Sequence, residues 1–470
     1  MCEPHIDPPP TTSANPNLQM ECAMESEKKS YLADLLEALA NNDLNEVRQI
    51  VDTLHPAEIA LLLESLPLSE RDAVWDLIDD EIEGEILVEL NDEVRQGLLE
   101  DMDPEAVVAA AEGMELDDLA DVVADLPDEM TAKVIESLPA EDREQLKSVL
   151  AYPEDCAGGI MDPDAIAVRS DITLDVVMRY LCRSGDLPDG TPAIFIVDRD
   201  QQFIGLLYLT TLVTHSPQAM VKDVMDTSVS SIPAHRSATE VALEFQSRDL
   251  YSAAVVDENG KLIGQITADD VMDVIQEQAD HDILSMAGLD EEDDMFAPVV
   301  TSAQRRAIWL GVNLGTAFLT AAVVALFKPA LEELVILAVL MPVVASMGGI
   351  AGSQTLTLMI RGIALGRVQD SNARWLLAKE IAVGALNGLV WALVVAIVTV
   401  LFFDTWQVGA VIGAALMISL LTAAFAGFII PLLLHKLKID PALAGTVILT
   451  TLTDIIGFAT FLGLGTFFLL

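Results

Sequence analysis

A single carboxylate, Asp454, stands near the middle of the otherwise apolar run Ala442–Leu470, where nothing else is ionisable. An acid at bilayer depth costs roughly 2.5–3.5 kcal/mol on insertion scales and marks a functional position. It ends the segment Leu449-Thr450-Thr451-Leu452-Thr453-Asp454, in which Thr450 and Asp454 are spaced i, i+4 and share one helix face. Hydroxyls and a carboxylate are oxygen ligands for a hard cation, or hydrogen-bond partners for its water shell. Softer metals would prefer imidazole or thiolate, which the apolar runs lack. Two other roles for Asp454 stay open: an ion-pair partner for Arg361, and a proton-relay acid.

The rest of the chain divides into two physically different parts. The formal charge is −49, yet from Arg306 onward eight Lys/Arg stand against seven Asp/Glu. The preceding residues hold 17 Lys/Arg against 67 Asp/Glu, a net charge of −50. Nucleic acid is excluded as a partner, because phosphate binding needs clustered Lys/Arg. Cations suit such a surface, although solubility alone also accounts for many acidic proteins. The cysteines Cys2, Cys22, Cys156 and Cys182 have no metal-ligand spacing and read as free thiols in a reducing compartment. No HExxH motif, catalytic triad, hydride-cofactor loop or P-loop is visible, so no enzyme is expected. Residues 1–29 lack a signal-peptide pattern and are expected to be disordered.

Five apolar runs can cross about 30 Å of hydrocarbon: Ala307–Phe327, Leu334–Ile360, Trp375–Phe403, Val408–Leu434 and Ala442–Leu470. Arg305 and Arg306, then Arg361, Arg367, Arg374 and Lys379, then Lys436 and Lys438 all fall on one side. The positive-inside rule therefore places the acidic part in the cytoplasm and the C-terminus outside. Pro342 and Gly348, Gly349 and Gly352 make the second span irregular. They suit either a broken helix beside a hydrated path or close packing of small residues. Ser353 and Gln354 tilt the balance towards the hydrated path.

Residues 30–150 read as an acidic helical superhelix, because short helices end repeatedly at Leu-Pro: Leu66-Pro67, Leu126-Pro127 and Leu138-Pro139. Next come two strand-hairpin-helix units. In the first, Ala193–Asp198 pairs with Phe203–Tyr208. In the second, Ala253–Asp257 and Leu262–Thr267 flank Asn259-Gly260 and lead into a helix at Asp269–Glu277.

These paired units resemble a tandem of cystathionine-β-synthase (CBS) domains, opened by Met161-Asp162-Pro163 and Val224-Met225-Asp226. With the helical part before them and five spans after, the chain from about residue 30 resembles the MgtE family of magnesium channels. The motifs are Glu154 to Met161, Gly348-Gly349 with Gly352-Ser353-Gln354, Ile360-Arg361, Lys379-Glu380, and Asp440-Pro441-Ala442 leading to Thr450 to Asp454.

The resemblance implies a multidomain fold, α and α+β plus an α-helical membrane part. Its pieces are a superhelical N domain (30–150), CBS domains at 151–220 and 221–281, a connecting plug helix at 282–303 and a five-helix transmembrane domain at 304–470. It implies a homodimer in the lipid bilayer of the cytoplasmic membrane, with Mg2+ as substrate and regulator. Asp454 would bind hydrated Mg2+ in the pore. Glu85, Asp117, Asp121, Asp249, Asp270, Asp273 and Asp282 would hold regulatory Mg2+. Ser237 and Thr239 replace usual sensor acids, while Ile350 and Val447 replace a usual Asn and Pro. Gly264 to Asp270 also fits a CBS nucleotide pattern, with Thr267 and Asp269 on the ribose of an adenine nucleotide; the alternative is helix capping by Asp269. A divalent-cation carrier or efflux protein (Mg2+/Co2+), using Asp454 as an alternating-access site, is the other functional reading.

Overall fold

The computed structural model describes residues 31–111, 114–184, 191–289, 294–369 and 371–470. The N-terminal segment expected to be disordered lies outside these residues, as does the middle of the expected plug helix. The chain forms two compact units.

Among the described residues, the first unit opens with a series of short helices between residues 31 and 149. The Leu-Pro stops are also helix starts. Pro67, Pro127 and Pro139 each precede a first helical residue, with φ of −62°, −58° and −51° and extended ψ. The ring fixes φ where a helix begins, and the missing N–H would have no intrahelical partner there. A second repeat feature was hidden in the sequence. Five residues after Leu66, Leu90, Leu126 and Leu138 stand Arg71, Arg95, Thr131 and Arg143. Their side chains donate back to those leucine carbonyls at 3.2, 3.4, 3.3 and 3.0 Å. Each repeat thus satisfies the carbonyls freed at its own turn.

The two sheets have one topology. β1 (Ala167–Arg169) runs parallel to β2 (Ala193–Val197), which pairs antiparallel with β3 (Phe203–Tyr208). β4 (Ile232–Pro233), β5 (Ser252–Val256) and β6 (Leu262–Thr267) repeat this order. The hairpin between β5 and β6 turns at Gly260, at φ +79°. The opening aspartates stitch the repeats together: Asp162 bridges Gln265 of β6, and Asp226 bridges Leu206 of β3.

The helix after β6 runs from Ala268 to Ala287, longer than the expected Asp269–Glu277. It then stops, so Asp282–Ala303 is not one connecting helix. Gly288 at φ +73° and the bonds Gly288 N–H to Ser285 O and Leu289 N–H to Leu284 O, each 3.0 Å, form a Schellman stop.

Among the described residues, five helices are long and apolar enough to cross a membrane: Val299–Ala325, Val335–Ala364, Ala373–Phe403, Trp406–Lys436 and Pro441–Leu469. The first begins before Arg305 and Arg306 and carries both in its opening turns. The second was expected to be irregular, yet it is continuous through Pro342 and the glycines. Its faces explain why. Val344, Gly348, Gly352, Thr355, Met359 and Ile360 are buried. An ideal Cβ on Gly348 would lie 2.6 Å from Ser419 Oγ, and one on Gly427 would lie 2.7 Å from Gly352 O. On this face the small residues serve close helix packing. Leu337, Val344, Ile412, Ala415, Phe461 and Leu462 form a core joining the second, fourth and fifth spans.

The packing gives a paired test. Gly348→Val should lower stability by about 1–3 kcal/mol through overpacking. Gly349→Ala meets nothing within 4 Å and gains helix propensity, so it should leave the thermal unfolding midpoint unchanged or slightly raised. Thermal unfolding in detergent reads both.

Candidate cation sites

The opposite face of the second span carries a polar stripe. Ser346, Gly349, Ile350, Ser353, Gln354 and Thr357 follow helical spacing and, with Ala345, Thr450 and Asp454, line an open cleft of about 790 Å3. Thr450 and Asp454 do share a face, as their spacing requires, while Thr453 on the same helix is buried away from it. No Lys or Arg lines the cleft, and Arg361 is exposed. Thr450 donates its proton to Thr446 O at 2.9 Å, with Val447 O at 3.2 Å. Its oxygen therefore keeps lone pairs for an incoming donor, and the first-shell waters of a metal ion are donors. Ser346 and Thr357 were missed in the sequence; their signal was the 346, 349, 353, 357 period across an apolar run.

A second site lies in the first unit. Among the described residues, Glu115, Asp117 and Asp118 form a group whose carboxylate oxygens lie within 4.8 Å of one another. Asp117 Oδ1 is buried without a hydrogen-bond partner. Burial pushes the Asp117 carboxyl up to about 8, with the charges of Asp270, Asp118 and Asp162 adding to the rise. Burial likewise pushes Asp270 up to about 6, against the opposing hydrogen bonds from Thr267. Asp162 accepts from Gln265 Nε2 at 2.9 Å and from Asp164 N–H at 2.7 Å. The fold thus brings together Asp117 and Asp270, far apart in sequence, and adds Asp162, which the sequence marks only as part of a domain opening.

Elsewhere the acids are dispersed. Glu85 is exposed on the helix Glu83–Glu89, and Asp121 and Asp273 are also exposed. Asp249 is exposed at φ +52°, just after the helix Ala238–Arg248. Asp282 accepts from Gln278 Nε2 at 3.2 Å, and burial raises its carboxyl. None of these belongs to the three-carboxylate group. At the start of the helix Ala268–Ala287 the cap is built by Asp270, whose Oδ2 accepts the Thr267 N–H at 2.7 Å and its hydroxyl at 3.0 Å. Capping through Asp269 is therefore corrected: Asp269 is exposed and accepts from the Thr267 hydroxyl, in a short contact, rather than from a backbone N–H.

Three family models match successive parts of the chain. The MgtE intracellular N domain covers residues 54–155, a CBS domain covers 221–277, and the MgtE divalent cation transporter domain covers 341–464. A magnesium transporter MgtE from Thermus thermophilus is 30% identical over 93% of this chain and 98% of its own length. The chain belongs to the MgtE family. The MgtE of Bacillus subtilis is 27% identical over 92% of this chain and 96% of its own. A crystal structure described as the cytosolic domain of the Mg2+ channel MgtE with ATP covers 52% of this chain and 99% of that one, at 30% identity and TM-score 0.47. Asp117 thus falls in the MgtE N-domain region, Asp270 in the CBS region and Asp454 in the transporter region.

The raised carboxyls make stability depend on pH. A carboxyl whose folded pKa lies above its unfolded value binds extra protons when folded, so its contribution is present at low pH and lost as pH rises. In divalent-free buffer the parent should therefore lose stability between about pH 4 and pH 8, the window set by Asp117. Asp117→Asn should flatten that slope. Thermal melts of the full chain across pH, with and without Mg2+, are the check, and Mg2+ should restore most stability at the alkaline end.

Proposed function

We propose that this chain carries hydrated Mg2+ across a membrane through the Asp454 cleft, as a channel closed by cytoplasmic Mg2+ bound to its acidic domains. The observation that carries the reading is the cleft itself: one carboxylate, no basic lining residue, and hydroxyl, amide and glycine surface on apolar helices. Mg2+ dehydrates reluctantly and keeps several waters, so it suits a wide, oxygen-lined path better than a tight cage. Asp454 supplies the attraction. Thr450, Ser346, Ser353, Gln354 and Thr357 offer oxygen acceptors to the ion's water shell.

An open cleft that holds a carboxylate cannot face lipid, because hydrocarbon leaves the charge and its polar neighbours unsatisfied. A second copy related by a two-fold axis closes it and places both Asp454 carboxylates on one path, so the working unit is a symmetric dimer. The basic connections support an orientation with the acidic domains in the cytoplasm and Leu470 outside. There Mg2+ between Asp117 and Asp270 offsets both the desolvation of their charges and the repulsion between them. Glu85, Asp121, Asp249, Asp273 and Asp282 supply further acidic ligands as the domains draw together. Beside this cluster, Asp269 and the Thr267 hydroxyl form an exposed edge for the ribose of an adenine nucleotide.

At about 5 Å through one water, a carboxylate and a divalent ion attract by about 1.7 kcal/mol even at bulk dielectric. Asp454→Asn should therefore cut Mg2+ conductance in reconstituted bilayers at least about tenfold. Wild-type conductance in folded Asp454→Asn would remove Asp454 from the path. Neutralising Asp117, Asp121, Asp270 and Asp273 together to Asn should leave the channel open at cytoplasmic Mg2+ concentrations that close the parent. Unchanged closure would make the acids a solubility feature.

A further inference from the structure

Arg71 occupies the repeat position shared with Arg95 and Arg143, and it makes one contact that they do not. Its Nε donates to Leu63 O at 3.1 Å and its Nη2 to Leu66 O at 3.2 Å, which completes the local turn. Nη2 also reaches Asp294 Oδ2 at 2.8 Å, across 223 residues of chain. Both side chains are almost wholly buried, at 3% and 6% exposed. Arg95 instead spends its spare donors on Asp92 and Asp125, inside the helical domain itself.

Asp294 is held twice more. Its N–H donates to the carboxylate of Glu93, and its Oδ1 accepts the N–H of Phe296 at 2.7 Å. Asp294–Pro298 accordingly belongs to the same compact unit as the helical repeat. The next residue, Val299, starts the first membrane span.

We propose that Arg71 and Glu93 form a latch that grips the approach to the first span, so that the helical domain moves that span through Asp294–Pro298. Five residues reach at most about 18 Å fully extended, and Pro298 stiffens the last of them. A tether this short takes up little slack. Separating a desolvated ion pair strands a buried charge, so the latch is either closed or released with no graded state between. Bulk monovalent salt screens such a pair weakly, and the grip should persist at high NaCl. The consequence for conduction rests on the gating reading above; the grip itself rests on the geometry.

The test uses full-length protein. Asp294→Asn removes the charge and keeps the shape. Hydrogen exchange across 294–298 should rise at least tenfold, and the Mg2+ concentration giving half-maximal closure should shift at least threefold. Asp294→Glu, which keeps the charge, should recover most of both. Should Asp294→Asn fail to fold, Glu93→Ala serves the same two readouts by removing the acceptor of the Asp294 N–H. Parental exchange, or raised exchange with a parental closure midpoint, overturns the latch. A parent that shows no Mg2+-dependent closure overturns the gating reading instead, and exchange alone then decides whether the grip exists.

Discussion

Asp117 is the constraint on which the soluble half depends. Its carboxyl is buried, one oxygen is unpartnered, and the charges of Asp270, Asp118 and Asp162 add to the cost of ionising it. Desolvating a charge among like charges is costly, and the group is kept neutral by a proton or balanced by a cation. Near pH 7 both options are open. The two carboxylates belong to different parts of the chain, Asp117 to a helix of the repeat and Asp270 to the first turn after β6. Whatever neutralises them therefore also joins those parts, and ion binding becomes folding free energy.

The membrane half solves the opposite problem. Asp454 is kept accessible rather than buried, on an open cleft whose other walls are uncharged. The second span makes this possible by presenting two chemistries on opposite faces. Gly348 and Gly352 let neighbouring helices approach, while Gly349, Ser353 and Gln354 leave room and acceptors on the other side. A single helix thus serves as both packing ridge and cleft wall. The connection into the first span matters for the same reason, because the domain that senses and the helices that conduct are covalently joined there.

Much of this was legible in the sequence, and the reasons are specific. Span length, the Asn259-Gly260 turn and the repeated Leu-Pro stops are local signals, and each marked its element. The i, i+4 spacing of Thr450 and Asp454 fixed their common face. The failures lie where distant residues decide. Glycine and proline in the second span suggested a break, but close approach by Ser419, Leu449 and Gly427 keeps the helix whole. Gly288 ends the expected plug helix through a left-handed turn that length alone does not reveal. The repeat arginines and Asp162 carried no signal in isolation, because their partners sit one turn back or one domain away.

A cation that replaces a proton at the Asp117 cluster leaves a direct signature. Titrating the divalent-free full-length protein with Mg2+ at pH 7, in buffers of different ionisation enthalpy, counts the protons released on binding. Release should fade above about pH 8 and be lost in Asp117→Asn. Binding without proton release at pH 7, or release unchanged in Asp117→Asn, would contradict that replacement.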